Sequence, residues 1–131
     1  MPLQIIAPII MGVIAGIVDI AFMVKDLSGD AKSTIGHGLG AMTYLIGLSF
    51  VAFNIELATN SGYLPVFFQN QIAVLIILAL VTAVIVHAKS AVFARSRGPG
   101  THETWIHSII LGILVASSPF IWPLLKGFLP F

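Results

Sequence analysis

The sequence contains no cysteine. This absence excludes disulfide bonds, thiolate-ligated iron–sulfur clusters and haem attached through a C-x-x-C-H motif. Charge is also scarce, since only 8% of the 131 residues are Asp, Glu, Lys or Arg, whereas a soluble domain usually has about a quarter. A net charge of +1 gives no electrostatic basis for binding nucleic acid.

Long apolar runs take the place of charge. Hydrophobic residues make up 58% of the chain, so its own polar groups cannot cover it and the lipid bilayer is the expected solvent. Each run is long enough for a span of about 20 residues. We predict one all-α transmembrane domain over residues 1–131, a four-helix bundle with helices at about 4–24, 34–58, 70–93 and 103–126.

Basic residues collect at one end of this bundle, which we call the basic end. Only Lys126 lies at the opposite end, whereas the loops 25–33 and 94–103 contain or border Lys25, Lys32, Lys89, Arg95 and Arg97. Because short cytoplasmic loops are enriched in Lys and Arg, we expect a multi-pass protein with both loops in the cytoplasm and both termini outside.

Four ionisable residues interrupt the apolar runs: Asp19, His37, His87 and His107. At a rise of 1.5 Å per residue, each lies only about 3–9 Å from the nearest charged residue of the basic end, so the four share one layer. Ionisable groups are costly in hydrocarbon and usually face a bundle interior or a functional site. This layer is therefore the candidate site.

Small residues indicate which helix faces are packed. Gly12 and Gly16 precede Asp19 at helical spacing, and small residues at this spacing allow membrane helices to approach closely. Asp19 is therefore expected to face protein. A similar stripe beside His37 on the second helix comprises Gly36, Gly40, Tyr44 and Gly47.

The fourth helix has a less regular pattern. The side that carries His107 continues to Ile110, Leu111 and Leu114, and Ser108 and Gly112 are expected to point elsewhere.

The two predicted hairpins resemble each other weakly. Each has one ionisable residue near the end of its first helix and a histidine near the start of its second, and Ile35-Gly36-His37 aligns with Trp105-Ile106-His107. Such halves could be parallel repeats related by an axis along the membrane normal. Any two membrane hairpins share this hydropathy, so coincidence is the alternative.

Three chemistries fit the layer, and none assigns a catalytic residue. A haem b could be held by His37 together with His87 or His107. A transition metal ion could be ligated by Asp19, His37, His87 and His107. A proton or quinone site could use Asp19 and one histidine. The alternative is that these histidines have only a structural role, because histidine near the membrane interface can form its hydrogen bonds with a backbone carbonyl or with water.

The end opposite the basic loops carries a polar rim. Its members are Asn54, Glu56, Asn60, Gln69, Asn70 and Gln71. They are expected to be solvated helix ends, although Glu56 could also bind a cation or a partner subunit.

No loop is long enough for a separate catalytic domain, so the chain is not expected to be an enzyme by itself. We expect a small accessory subunit of a larger redox or energy-converting membrane complex, active in electron transport, with lipid and other integral membrane subunits as partners. The alternatives are a homo-oligomeric transporter or channel, and a purely structural membrane subunit.

Overall fold

The computed structural model describes residues 2–26, 31–60, 62, 65–95 and 104–128, with the backbone alone for residues 25–26, 31–35, 37 and 93–95. Its elements are helix α1 (Ile6–Asp26), α2 (Ala31–Phe53), α3 (Ile55–Thr59), a 3₁₀ helix (Val66–Gln69), α4 (Gln71–Arg95) and α5 (Trp105–Lys126). None of these described residues forms a strand, so the all-helical prediction is confirmed.

Three helices in the described part of the chain are long and apolar enough to cross a membrane: Ile6–Val24, Gln71–Val92 and Trp105–Lys126. The apolar part of α2, Gly38–Phe53, is shorter. Length and composition therefore identify a multi-pass helical membrane protein.

Asn54 divides the predicted second helix into α2 and α3. Its Nδ2 donates to the carbonyl of Phe50, 2.9 Å away, and to that of Gln4, also 2.9 Å away. Its Oδ1 accepts from the backbone N–H of Gln4 at 2.8 Å. Asparagine competes with helical hydrogen bonds in this way. Here it also ties the N-terminal segment to the end of α2.

Glycine sets the close approach of α1 and α2. Gly12 lies against Ile46, Gly16 against Met42, and Gly38 of α2 against Ile20. Each step of four residues along α1 is matched by four residues back along α2, so the helices are antiparallel in one continuous register. Gln4 and Asn54 extend the same register to the end of the pair.

The second hairpin packs in the same manner. Gly112 of α5 lies against the carbonyl oxygen of Ala79 and 3.4 Å, measured from an ideal Cβ position, from the methyl group of Ala83. The two hairpins then pack together, because α5 also contacts α1 and α2, and α2 contacts α4. One core cluster joins all four long helices: Ala15, Leu45, Val86, Leu111 and Val115.

Candidate functional site

Asp19 lies inside the bundle near the basic end. It is seven residues from the last residue of α1, Asp26, which is about 10 Å along the helix axis. Gly12, Gly16 and Asp19 are all buried, and Asp19 is only 1% exposed. The prediction that Asp19 faces protein is confirmed.

His107 enters the same region from α5. Thr104 caps this helix, because its Oγ1 accepts the backbone N–H of His107 at 3.4 Å. The imidazole projects from the first turn of α5 toward Asp19 of α1. Its Nε2 lies 3.1 Å from Oδ1 of Asp19, and His107 is only 2% exposed. The structure thus joins two residues separated by 88 positions into a buried pair at ion-pair distance.

The surroundings of the Asp19–His107 pair are mostly apolar. The ring of Phe22 lies 4.7 Å from the imidazole, tilted by 37°. Among the described residues, Oδ2 of Asp19 and the hydroxyl of the neighbouring Ser108 meet no hydrogen-bond partner. A carboxylate in such surroundings interacts strongly with a proton on the facing imidazole, because little water screens the pair.

The face of α5 around the pair differs from the prediction. Ser108 and Gly112 are buried together with His107 and Leu111, so the expectation that Ser108 and Gly112 point elsewhere is wrong. The physical reason is that α5 contacts α1, α2 and α4. A helix with three neighbours buries a broad face rather than a single stripe.

His87 takes a different partner. Its ring stacks on Trp105 of α5, with centroids 3.8 Å apart and planes inclined by 17°. Its Nδ1 is buried without a hydrogen-bond partner among the described residues. Nothing in the sequence pattern predicted this stack. The signal that could have found it is the antiparallel pairing of the second hairpin.

The side chain of His37 lies outside the described residues. The same is true of the whole of His102, a histidine in loop 94–103 that does not belong to the predicted layer. Around His37, Gly38 packs against Ile20, Gly36 has no described atom near its Cβ position, and Gly40 lies beneath Nζ of Lys89. Nζ also lies 5.0 Å from the ring centroid of Tyr44, which is a cation–π distance. Gly38 is therefore filled by its neighbour and gives no room for a cofactor.

Within the described part of the chain, the predicted stripe on α2 is covered only by the Lys89 side chain, which lies over Gly40 and Tyr44. Gly36, Gly40, Tyr44 and Gly47 are all exposed, so the implied packing of that face inside the bundle is wrong. Helical spacing identified the residues that share a face, but the face turns outward. The packed glycine of α2 is Gly38 instead.

Asp19 and His107 are the only members of the predicted layer that the structure joins within its described part. No group of three or more His, Cys, Asp or Glu residues that could hold a metal ion occurs among the described residues. The haem and metal hypotheses therefore depend on His37 and stay predictions. No protein-family model, curated protein or solved structure matches this chain.

Proposed function

We propose that this chain is a small accessory subunit of a larger membrane complex, with α2 as a fourth membrane span. The observation that carries the proposal is the outward face of α2. Four small residues follow one another along it at helical spacing and are exposed: Gly36, Gly40, Thr43 and Gly47. We call this set the α2 glycine face.

Helix α2 also exposes Leu39, Tyr44 and Phe50, but in the described part of the chain the other long helices have no comparable row of exposed small residues. Their exposed positions carry large aliphatic side chains, as in Ile17 and Val24 of α1, Ile72, Ile76 and Leu80 of α4, and Ile106 and Ile113 of α5. Such side chains suit lipid, whereas small residues favour close packing of a second helix. The contrast supports an integral membrane partner on α2 and lipid on the other faces.

The buried pair supports a redox or energy-converting role for the complex. Imidazole and carboxylate at 3.1 Å can share or exchange one proton, and such residues inside membrane helices commonly belong to proton pathways. In this proposal Asp19 and His107 hold a proton within the membrane, and the partner subunits supply the remaining chemistry.

Enlarging the α2 glycine face tests the subunit proposal. No described atom lies within 4 Å of a Cβ at Gly36 or Gly47, so Gly36→Leu and Gly47→Leu should leave the chain's own fold intact. Each should reduce the amount of partner subunit recovered in mild detergent by roughly tenfold, because it places a large side chain against the partner helix. Recovery is measured by quantitative mass spectrometry of the native complex.

Ile76→Leu is the matched control, because Ile76 is exposed on α4 and is assigned to lipid. It should leave recovery unchanged. A wild-type chain that purifies as a symmetric self-assembly, dissociated by the same glycine changes, would support the transporter or channel alternative. Unchanged partner recovery in both glycine variants would show that this face contacts lipid.

We further propose that loops 25–33 and 94–103, most of whose residues lie outside the described part, are cytoplasmic and that both termini are outside. Because the chain has no cysteine, one introduced cysteine is the only target of a thiol reagent. Ser61→Cys should react with a membrane-impermeant maleimide in intact cells, and Ser96→Cys should react only after permeabilisation. The opposite pattern would invert the orientation.

A bound haem b or metal ion is a second proposal, with His37 as its first ligand. His107 faces Asp19, whereas Nδ1 of His87 has no described partner, which favours His87 as the second ligand. His37→Ala should abolish the cofactor absorption of the purified native complex or its stoichiometric metal content, and His102→Ala should leave both intact. A colourless, metal-free wild-type complex would exclude this proposal.

A further inference from the structure

A cavity of about 290 Å³ opens at the end of the bundle opposite the Asp19–His107 pair. The residues around it come from α2, α3, α4, α5 and the N-terminal segment. Its volume is near the lower limit of ligand pockets in proteins. The cavity is therefore large enough for a small one-ring molecule.

Aromatic rings form part of its wall. Phe53 and Trp122 meet edge to face, with centroids 6.4 Å apart and planes inclined by 81°. Two rings at nearly a right angle make an aromatic corner, and Phe120 adds a third ring to the lining. Aromatic faces carry partial negative charge and attract cations.

Glu56 gives the cavity its only formal charge among the described lining residues. Its carboxylate has no ion-pair partner in the described part of the chain. Lys126 lines a neighbouring surface groove instead, which shares Gln4 and Trp122 with the cavity. Its described lining residues thus combine a carboxylate with aromatic faces and include no basic side chain.

Local structure holds the cavity in place. The Asn54 hydrogen bonds fix the backbone of Gln4 at its edge. Pro119 and Pro123 of α5 also line it, and proline has no N–H to bond the preceding turn. The carbonyl of Val115 accepts from the hydroxyl of Ser118 at 2.6 Å, which compensates the helical bond that Pro119 cannot make. Helix α5 continues through Pro119 and Pro123 to Lys126.

We propose that this cavity binds a small organic cation, a quaternary or protonated amine that carries one apolar group. Glu56 attracts the positive charge, and Phe53 and Trp122 contact the cationic centre and its apolar substituent. A neutral molecule of the same shape gains the apolar contacts but neither the Coulomb attraction nor the cation–π interaction. Selectivity for a cation over a neutral molecule therefore distinguishes this site from a purely apolar cavity. The binding proposal does not depend on the subunit role proposed above.

Fluorescence titration of the purified full chain tests the proposal. The chain has two tryptophans, so Trp105→Phe leaves Trp122 as the only reporter, within the cavity wall. Benzyltrimethylammonium is the probe, and neopentylbenzene, its neutral carbon isostere, is the comparison ligand. The cation should bind roughly tenfold more tightly than the isostere, and Glu56→Gln should weaken cation binding by roughly tenfold.

Two controls accompany Glu56→Gln. Asp26→Asn removes the same charge at the far end of α1 and should leave the affinity unchanged. Circular dichroism of Glu56→Gln should match that of the wild-type chain, which shows that the change acts on the site rather than the fold. Equal affinity in Glu56→Gln and wild type, equal affinity for cation and isostere, or no binding of the cation by the wild-type chain would each overturn the proposal.

Discussion

Replacing His107 by leucine is expected to lower the free energy of unfolding by about 3–5 kcal/mol, because it leaves the carboxylate of Asp19 buried without its partner. Asp19→Leu should also lower it, because the buried imidazole of His107 loses the carboxylate that faces it at 3.1 Å. Unfolding in mixed micelles, followed by circular dichroism, measures both values.

The double variant separates the interaction energy between Asp19 and His107 from the contribution of each residue alone. Asp19→Leu combined with His107→Leu replaces both polar groups by apolar ones and should recover most of the lost stability. The coupling energy from this cycle should exceed about 1 kcal/mol, whereas residues that do not interact give additive effects within about 0.5 kcal/mol. Additive effects would contradict a direct interaction.

Ser49→Ala is the matched control. Ser49 is fully buried on α2, and its hydroxyl has no hydrogen-bond partner among the described residues. Its loss should therefore cost little or slightly stabilise the chain. A large loss in this variant would mean that any change in the packed interior is damaging, and the values for the pair would then carry no specific meaning.

The double variant also bears on the proposed function. A bundle that folds and assembles with leucine at both positions retains the helix packing and loses only the shared proton. Loss of activity in the assembled complex would then assign the pair a role in proton transfer. Full activity would assign it a purely structural role, which is the third alternative from the sequence.

Part of this site could be predicted from the sequence. The spacing of Gly12, Gly16 and Asp19 predicted the buried face of α1, because a carboxylate rarely faces lipid and small residues mark close packing. A histidine was one predicted partner of Asp19, but which histidine it would be could not be predicted, since His37, His87 and His107 lie at similar depth. The choice among them depends on how the two hairpins pack, and helical periodicity does not determine that.

Helical periodicity also does not show whether a given helix face points into the bundle or away from it. The stripe of Gly36, Gly40 and Gly47 has helical spacing, as the stripe on α1 does, yet it is exposed. The position at which α2 ends could not be predicted either, because Asn54 ends the helix through hydrogen bonds to Gln4, 50 residues earlier. Both features depend on contacts between segments distant in sequence, which local patterns do not encode.

Gly12→Ala is expected to destabilise the isolated chain by about 1–3 kcal/mol, the usual cost of overpacking. A Cβ atom at Gly12 would fall onto the backbone Cα of Ile46 and lie 2.8 Å from its backbone nitrogen, and a backbone cannot rotate away. At Gly16 the same atom would lie 2.7 Å from Cγ of the flexible Met42 side chain, so Gly16→Ala should cost less. Thermal unfolding in detergent measures which of the two variants loses more stability.

Gly47→Ala completes this series as the control on the helix that faces Gly12. A Cβ at Gly47 meets no described atom within 4 Å, and alanine favours a helix over glycine by up to about 1 kcal/mol. Gly47→Ala should therefore leave the stability of the isolated chain unchanged or raise it. A loss should appear only in the binding of partner subunits. A loss equal to that of Gly12→Ala would mean that α2 presents a different face to α1.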